Sequence, residues 1–121
     1  MIKGFFIKDV PWVEVTIGWE EAAQTSLAVL DTGFSGDLQI TPKLAKELNL
    51  KSTTAVSVQI ASGQIVDVPI TTAVSSMEGE KQYVKVLISD STPLLGITFL
   101  SKFSYKAIVD CKNRTVALKK A

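Results

Sequence analysis

Apolar side chains on alternate residues recur along this chain and leave little choice of fold class. Val13, Val15 and Ile17 alternate with Glu14 and Thr16. Val56, Val58 and Ile60 repeat the pattern, as do Val66, Val68 and Ile70, then Val84, Val86 and Ile88. A period of two puts every second side chain on one face of a strand, so each run reads as a β-strand with one face to bury. Helical signals are few. Thr41-Pro42 offers an N-cap hydroxyl followed by a proline at the first helical position, with Leu44, Ala45 and Leu48 on one face and Asn49 as a stop. A second helical turn is expected from Thr98, burying Phe99, Leu100 and Phe103. The expected class is mainly β with one or two short helices, and 121 residues suit one domain spanning 1–121.

Between these runs the chain breaks at predictable places. Gly18–Glu21 reads as a turn, followed by a strand from about Gln24 to Leu30. Ala61-Ser62-Gly63-Gln64 is the tip of a hairpin, where Gly63 supplies a residue free to take positive φ. Pro69 places part of the returning strand at an edge. Residues 75–80 read as a polar connection and Ser89–Pro93 as a break. A last hairpin is expected from Tyr105–Asp110 and Thr115–Lys119 around Cys111–Arg114, with Lys119 and Lys120 as solvated charge.

One segment departs from ordinary strand-and-turn design. Leu27-Ala28-Val29-Leu30 reads as a buried strand, and it runs straight into Asp31-Thr32-Gly33-Phe34-Ser35-Gly36. A carboxylate at the mouth of a buried strand is disfavoured as an ion unless neighbours donate hydrogen bonds to it. Asp31 therefore stands either as a turn-opening residue that accepts nearby backbone N–H groups or as a group positioned for chemistry.

Composition narrows that chemistry. The chain has no histidine, which excludes Ser-His-Asp and Cys-His catalysis and removes the commonest zinc ligand. Its lone cysteine, Cys111, cannot form an internal disulfide and reads as a small buried hydrophobe. No phosphate-binding glycine loop occurs. Thirteen basic and twelve acidic residues leave a net charge of +1, which argues against a dedicated nucleic-acid or anionic-membrane surface. The first residues lack the apolar core of a signal peptide and no run is long enough to cross a bilayer, so a cytoplasmic protein is expected. Any catalysis falls to carboxylates, with neither metal nor organic cofactor.

The two halves of the chain share a plan, in which strands lead to an apolar run into a glycine turn and then to a short helix. Asp31-Thr32-Gly33 marks the first half and Leu94-Leu95-Gly96 the second, with the Gly63-tipped hairpin between them. In order and spacing, from about Val13 to Leu118, this resembles the retropepsin-like (clan AA) aspartic proteases, in particular their small single-domain prokaryotic members. The resemblance implies a closed β-barrel of the acid-protease type. It implies that Asp31 is the catalytic acid, that Thr32 braces paired turns across a two-fold axis and that Gly33 offers backbone groups to a substrate strand. Phe34 would border the cleft and Ser62-Gly63 would form the tip of a flap, completing the substrate-binding set. Leu94-Leu95-Gly96 would pack behind the catalytic turn.

Chemistry adds a requirement. Hydrolysis by carboxylates needs one group to take a proton from water and another to give one, and two carboxylates about 3 Å apart share a proton and do both. One Asp-Thr-Gly per chain thus calls for a homodimer acting on a peptide or protein substrate. In retroviral members an Asp four residues after the catalytic Asp pairs with an Arg after the second-motif glycine; here those positions hold Ser35 and Ile97. Losing both avoids stranding a charge. The other reading is an inactive module that keeps the fold and holds an extended segment by strand addition.

Overall fold

The computed structural model describes every residue except Glu20 and Thr53. Eleven strands and two short helices follow in the order β1 (Ile2–Lys3), β2 (Phe5–Ile7), β3 (Val10–Trp19), β4 (Ala22–Leu30), β5 (Leu38–Ile40), α1 (Pro42–Glu47), β6 (Thr54–Gln59), β7 (Ile65–Met77), β8 (Glu80–Ile88), β9 (Leu94–Leu95), α2 (Ile97–Lys102), β10 (Tyr105–Asp110) and β11 (Thr115–Lys120).

Eight strands make the main sheet in the order β2-β3-β4-β9-β5-β8-β7-β6, and β3 also pairs with β7. That extra pairing, Thr16 to Ser76, Ile17 to Ser75 and Gly18 to Val74, closes β3, β4, β9, β5, β8 and β7 into a ring. Closure leaves β2 and the β6–β7 hairpin as extensions of the ring. The remaining strands form a separate sheet in the order β1-β11-β10.

The alternation foreseen for β3 points Val13, Val15 and Ile17 inward, each at most 1% exposed. They meet Leu38 and Ile40 from β5, Val84 and Val86 from β8, and Leu95 from β9 in one core. Helix α2 adds Phe99, whose ring centroid is 4.8 Å from that of Phe103. The run before Asp31 is less buried than its composition suggests. Ala28 and Leu30 face the core, whereas Leu27 is 37% exposed, because β4 keeps the period of two even through apolar residues.

Helix α1 has the ends its sequence calls for. Thr41 Oγ1 accepts from the Leu44 N–H at 3.2 Å, and Pro42 occupies the first turn, where no intrahelical N–H bond is lost. Asn49 adopts φ +56° and donates to the Lys46 carbonyl, while the Leu50 N–H reaches the Ala45 carbonyl, a Schellman ending. Thr41→Ala is expected to lower stability by about 1 kcal/mol, read as a lower denaturant midpoint with an unchanged slope.

Several expectations are corrected. Gly18 and Trp19 do not turn but pair with Ala23 and Ala22 inside the β3–β4 ladder; Glu20 lies outside the described residues. Residues 75–77 belong to β7, and the turn is confined to Glu78 and Gly79, with φ of +51° and +83°, the signature of a two-residue type I′ hairpin. Ser75 is fully buried there because its hydroxyl donates to the Thr16 carbonyl at 2.9 Å. Cys111 lies in the β10–β11 turn, as the hairpin reading placed it, and is exposed there, not buried. Lys120 is not free charge: its ammonium donates to Glu80 at 2.7 Å and to the Phe103 carbonyl, and lies 4.6 Å from the centre of the Tyr105 ring. The short strands β1 and β2 carry too few residues to show a period.

Candidate active site

Strand β4 delivers Asp31 to the end of the ring, where its backbone is held from behind. The Val29 N–H donates to the Pro93 carbonyl at 2.9 Å and the Asp31 N–H to the Leu95 carbonyl at 3.0 Å, continuing the parallel pairing of β4 with β9. Leu95 is fully buried. The second apolar-pair-plus-glycine motif thus lies directly behind the Asp31 turn.

Past Asp31 the chain turns tightly. The Gly33 N–H donates to Asp31 Oδ1 at 2.9 Å and the Phe34 N–H to the Asp31 carbonyl at 3.1 Å. The first is an Asx turn, and it fixes the carboxylate's direction while leaving Oδ2, among the described residues, without a hydrogen bond. A β carbon at position 33 would come within 3.2 Å of that carboxylate, so glycine keeps the approach open. Thr32 and Gly33 are exposed and Asp31 is half-buried.

The rest of the loop is laced to the second motif. The Ile97 N–H donates to the Phe34 carbonyl and the Gly96 N–H to the Asp37 carbonyl, both at 2.9 Å. Position 96 admits only glycine: a β carbon there would sit 2.1 Å from the Gly36 carbonyl oxygen. The Phe34 ring is folded over Gly36 and Gly96, and half-buried against its own chain. Ser62 and Gly63 lie away from these residues in sequence, at the exposed tip of the β6–β7 hairpin. There Gly63 has φ +86° and its N–H closes the turn on the Ile60 carbonyl at 2.8 Å. Pro69 falls where β7 has β6 as its one neighbour, pairing with Ala55, one residue before the β8 ladder starts at Ile70.

One charged residue of this region is absent from the sequence expectations. Asp37 is 3% exposed. Its Oδ2 accepts from the Lys102 ammonium at 2.6 Å and the Lys85 N–H at 2.8 Å, and its Oδ1 accepts from the Thr98 hydroxyl. Burial alone would raise its pKa; the bonds from Lys102 and Thr98, then the Lys85 N–H, outweigh this and hold the carboxyl below the usual carboxylate range. Lys102 also donates to the Tyr83 carbonyl at 3.1 Å. Asp37 thereby ties the end of the Asp31 loop to α2 and β8. A signal was present, because Thr98 and Lys102 are four residues apart and share a face of α2. With Ser35 and Ile97 at the positions of the viral charged pair, this internal Asp37–Lys102 pair is the ionic contact beside the turn.

The fold as a whole matches a solved protein. The EIAV protease, in complex with the inhibitor HBY-793, superposes with a TM-score of 0.70 over 87% of this chain and 98% of that one, at 18% identity. The fold is retropepsin-like. No protein-family model matches the sequence, and no curated protein does. At this identity the retropepsin likeness speaks for the fold, and function has to be argued from the residues. Among the described residues, no helix is long and apolar enough to cross a membrane.

Proposed function

We propose that this chain is an aspartic endopeptidase that works as a homodimer, with Asp31 of each subunit sharing one site. The observation that carries the proposal is the Asp31 turn itself. In a retropepsin-like fold, a carboxylate is held at a strand exit by its own backbone, aimed by one N–H bond and left with one free oxygen.

Two such carboxylates facing each other share a proton. The ionised one takes a proton from water as the water attacks the peptide carbonyl, and the protonated one supplies a proton to the carbonyl oxygen. Collapse of the tetrahedral intermediate then requires a proton on the leaving nitrogen, which the recharged acid provides. No metal or organic cofactor takes part. Gly33 and Phe34 border the bound peptide on the floor, and Ser62 and Gly63 close over it.

Features of one subunit support a second. Thr32 is exposed, as a residue that braces a partner's turn would be. Ile97, next to the turn, is 42% exposed, and β10 has one sheet edge unpaired, with Ile108 and Val109 43% and 41% exposed. An exposed free Cys111 suits a reducing, cytoplasmic setting.

Mass-spectrometric detection of cuts in an unbiased peptide library, from acidic to neutral pH, tests the proposal, with Asp31→Asn as control. Cuts that vanish in the variant are expected. A confirmed dimer that makes no Asp31-dependent cut would instead favour a module that binds extended segments.

A further inference from the structure

Beside the Asp31 loop lies an open recess of about 440 Å³, between that loop and the base of the β6–β7 hairpin. Ser35 and Gly36 form its loop side, and Val56 and Ile70 its hairpin side. Because Gly33, Ser35 and Gly36 succeed one another along one loop, an extended segment crossing Asp31 beneath the hairpin is led towards this space.

The charges in its wall do not balance. Lys85, Lys102 and Asp37 all line it. Asp37 is fully engaged, with both oxygens occupied by Thr98, Lys102 and the Lys85 N–H. The Lys102 ammonium is held in turn by Asp37 and the Tyr83 carbonyl. Lys85 differs: its side chain is exposed and, among the described residues, its ammonium makes no ion pair. Lys85 also borders a second recess of about 390 Å³, whose other walls, including Thr54, Thr71, Thr72 and Trp19, carry no charge. Among the described residues, an unpaired cation therefore stands between two recesses with no free carboxylate in either.

We propose that Lys85 makes the recess beside the Asp31 loop a subsite for an acidic side chain, Glu or Asp, of the bound peptide, at a position flanking the scissile bond. Val56, Ile70 and Leu87 offer apolar surface to the methylene stem, and the recessed site screens an ammonium–carboxylate pair less than open solvent does. Among the described residues a basic side chain meets two lysines and no available acid, so it is rejected as the acid is accepted. This subsite rests on the proposed reading that the cleft holds an extended peptide.

The test uses Asp31→Asn protein, which retains the groove without cutting, to capture peptides from an immobilised random library. Glu and Asp should be enriched about tenfold over Gln and Asn at one position, and the preference should shrink as salt rises. Adding Lys85→Glu should invert the preference to Lys and Arg, and Lys85→Met should abolish it while preferences at other positions persist. An acidic preference that survives Lys85→Glu, no charge preference, or no captured peptide would overturn the subsite. Cleavage of the captured peptides by the wild-type protein is read separately. Acidic peptides that bind but are never cut would leave the subsite standing and sink the endopeptidase, whereas cuts without charge preference would do the reverse.

Discussion

Asp31→Asn is expected to reduce peptide cleavage by about a thousandfold or more while leaving fold and assembly intact, the scale on which loss of a general acid–base group is felt. The amide oxygen of Asn can still accept the Gly33 N–H that Asp31 Oδ1 accepts at 2.9 Å, so the turn survives the exchange. What is lost is the ability to hold and move a proton. Matching thermal midpoints and elution volumes for the two proteins, beside a collapse of kcat/KM, would separate chemistry from folding. A variant that turns over at wild-type rates would remove Asp31 from the mechanism.

The largest stability effect is expected at Asp37. Asp37→Asn removes the charge that faces Lys102 at 2.6 Å and weakens the acceptor for Thr98 and the Lys85 N–H. Breaking a buried pair from one side costs about 3–5 kcal/mol. About 3 kcal/mol is expected here, because the Lys102 side chain, 36% exposed, can turn to water. The same carboxyl shapes acid stability. Its folded pKa lies below the unfolded value, so its contribution is fully present above the unfolded carboxylate pKa and is lost as pH falls through the folded one. Denaturant melts from pH 7 down to about pH 2 should show wild type and Asp37→Asn converging at the acid end. Curves that stay parallel would mean that Asp37 is not held by its partners.

The part of this fold written locally in the chain was legible. Period-two alternation located β3, β6, the first half of β7 and β8, the Cys111–Arg114 turn marked the final hairpin, and the Thr41-Pro42 and Asn49 signals bounded α1, because a cap, a turn or a pleat is decided by residues a few positions apart. Ring closure was not legible in the same way. It depends on Ser75 and Ser76 continuing β7 beside β3, and those serines read as a loop; only the Thr16 carbonyl, 59 residues away, makes burial of Ser75 acceptable. Asp37 escaped for the same reason, since its partners lie 48 to 65 residues downstream. Cys111 was expected buried from its residue type although the expected hairpin already put it in the turn, where it is exposed, and Lys120 is drawn onto Glu80 and the Tyr105 ring. The Asp31 turn, by contrast, was visible whole, because an Asx turn closed by a glycine is built from adjacent residues.

The central claim, that two copies of Asp31 form one site, is tested most directly by mixing subunits. Wild-type and Asp31→Asn chains are exchanged at constant total concentration, and cleavage of a fluorogenic peptide chosen from the library is measured against the wild-type fraction. If both carboxylates are needed, only wild-type pairs are active and the rate follows the square of that fraction, about a quarter at equal mixing. A rate that falls in direct proportion, to about half, would show that each subunit works alone and would contradict a shared Asp31 pair.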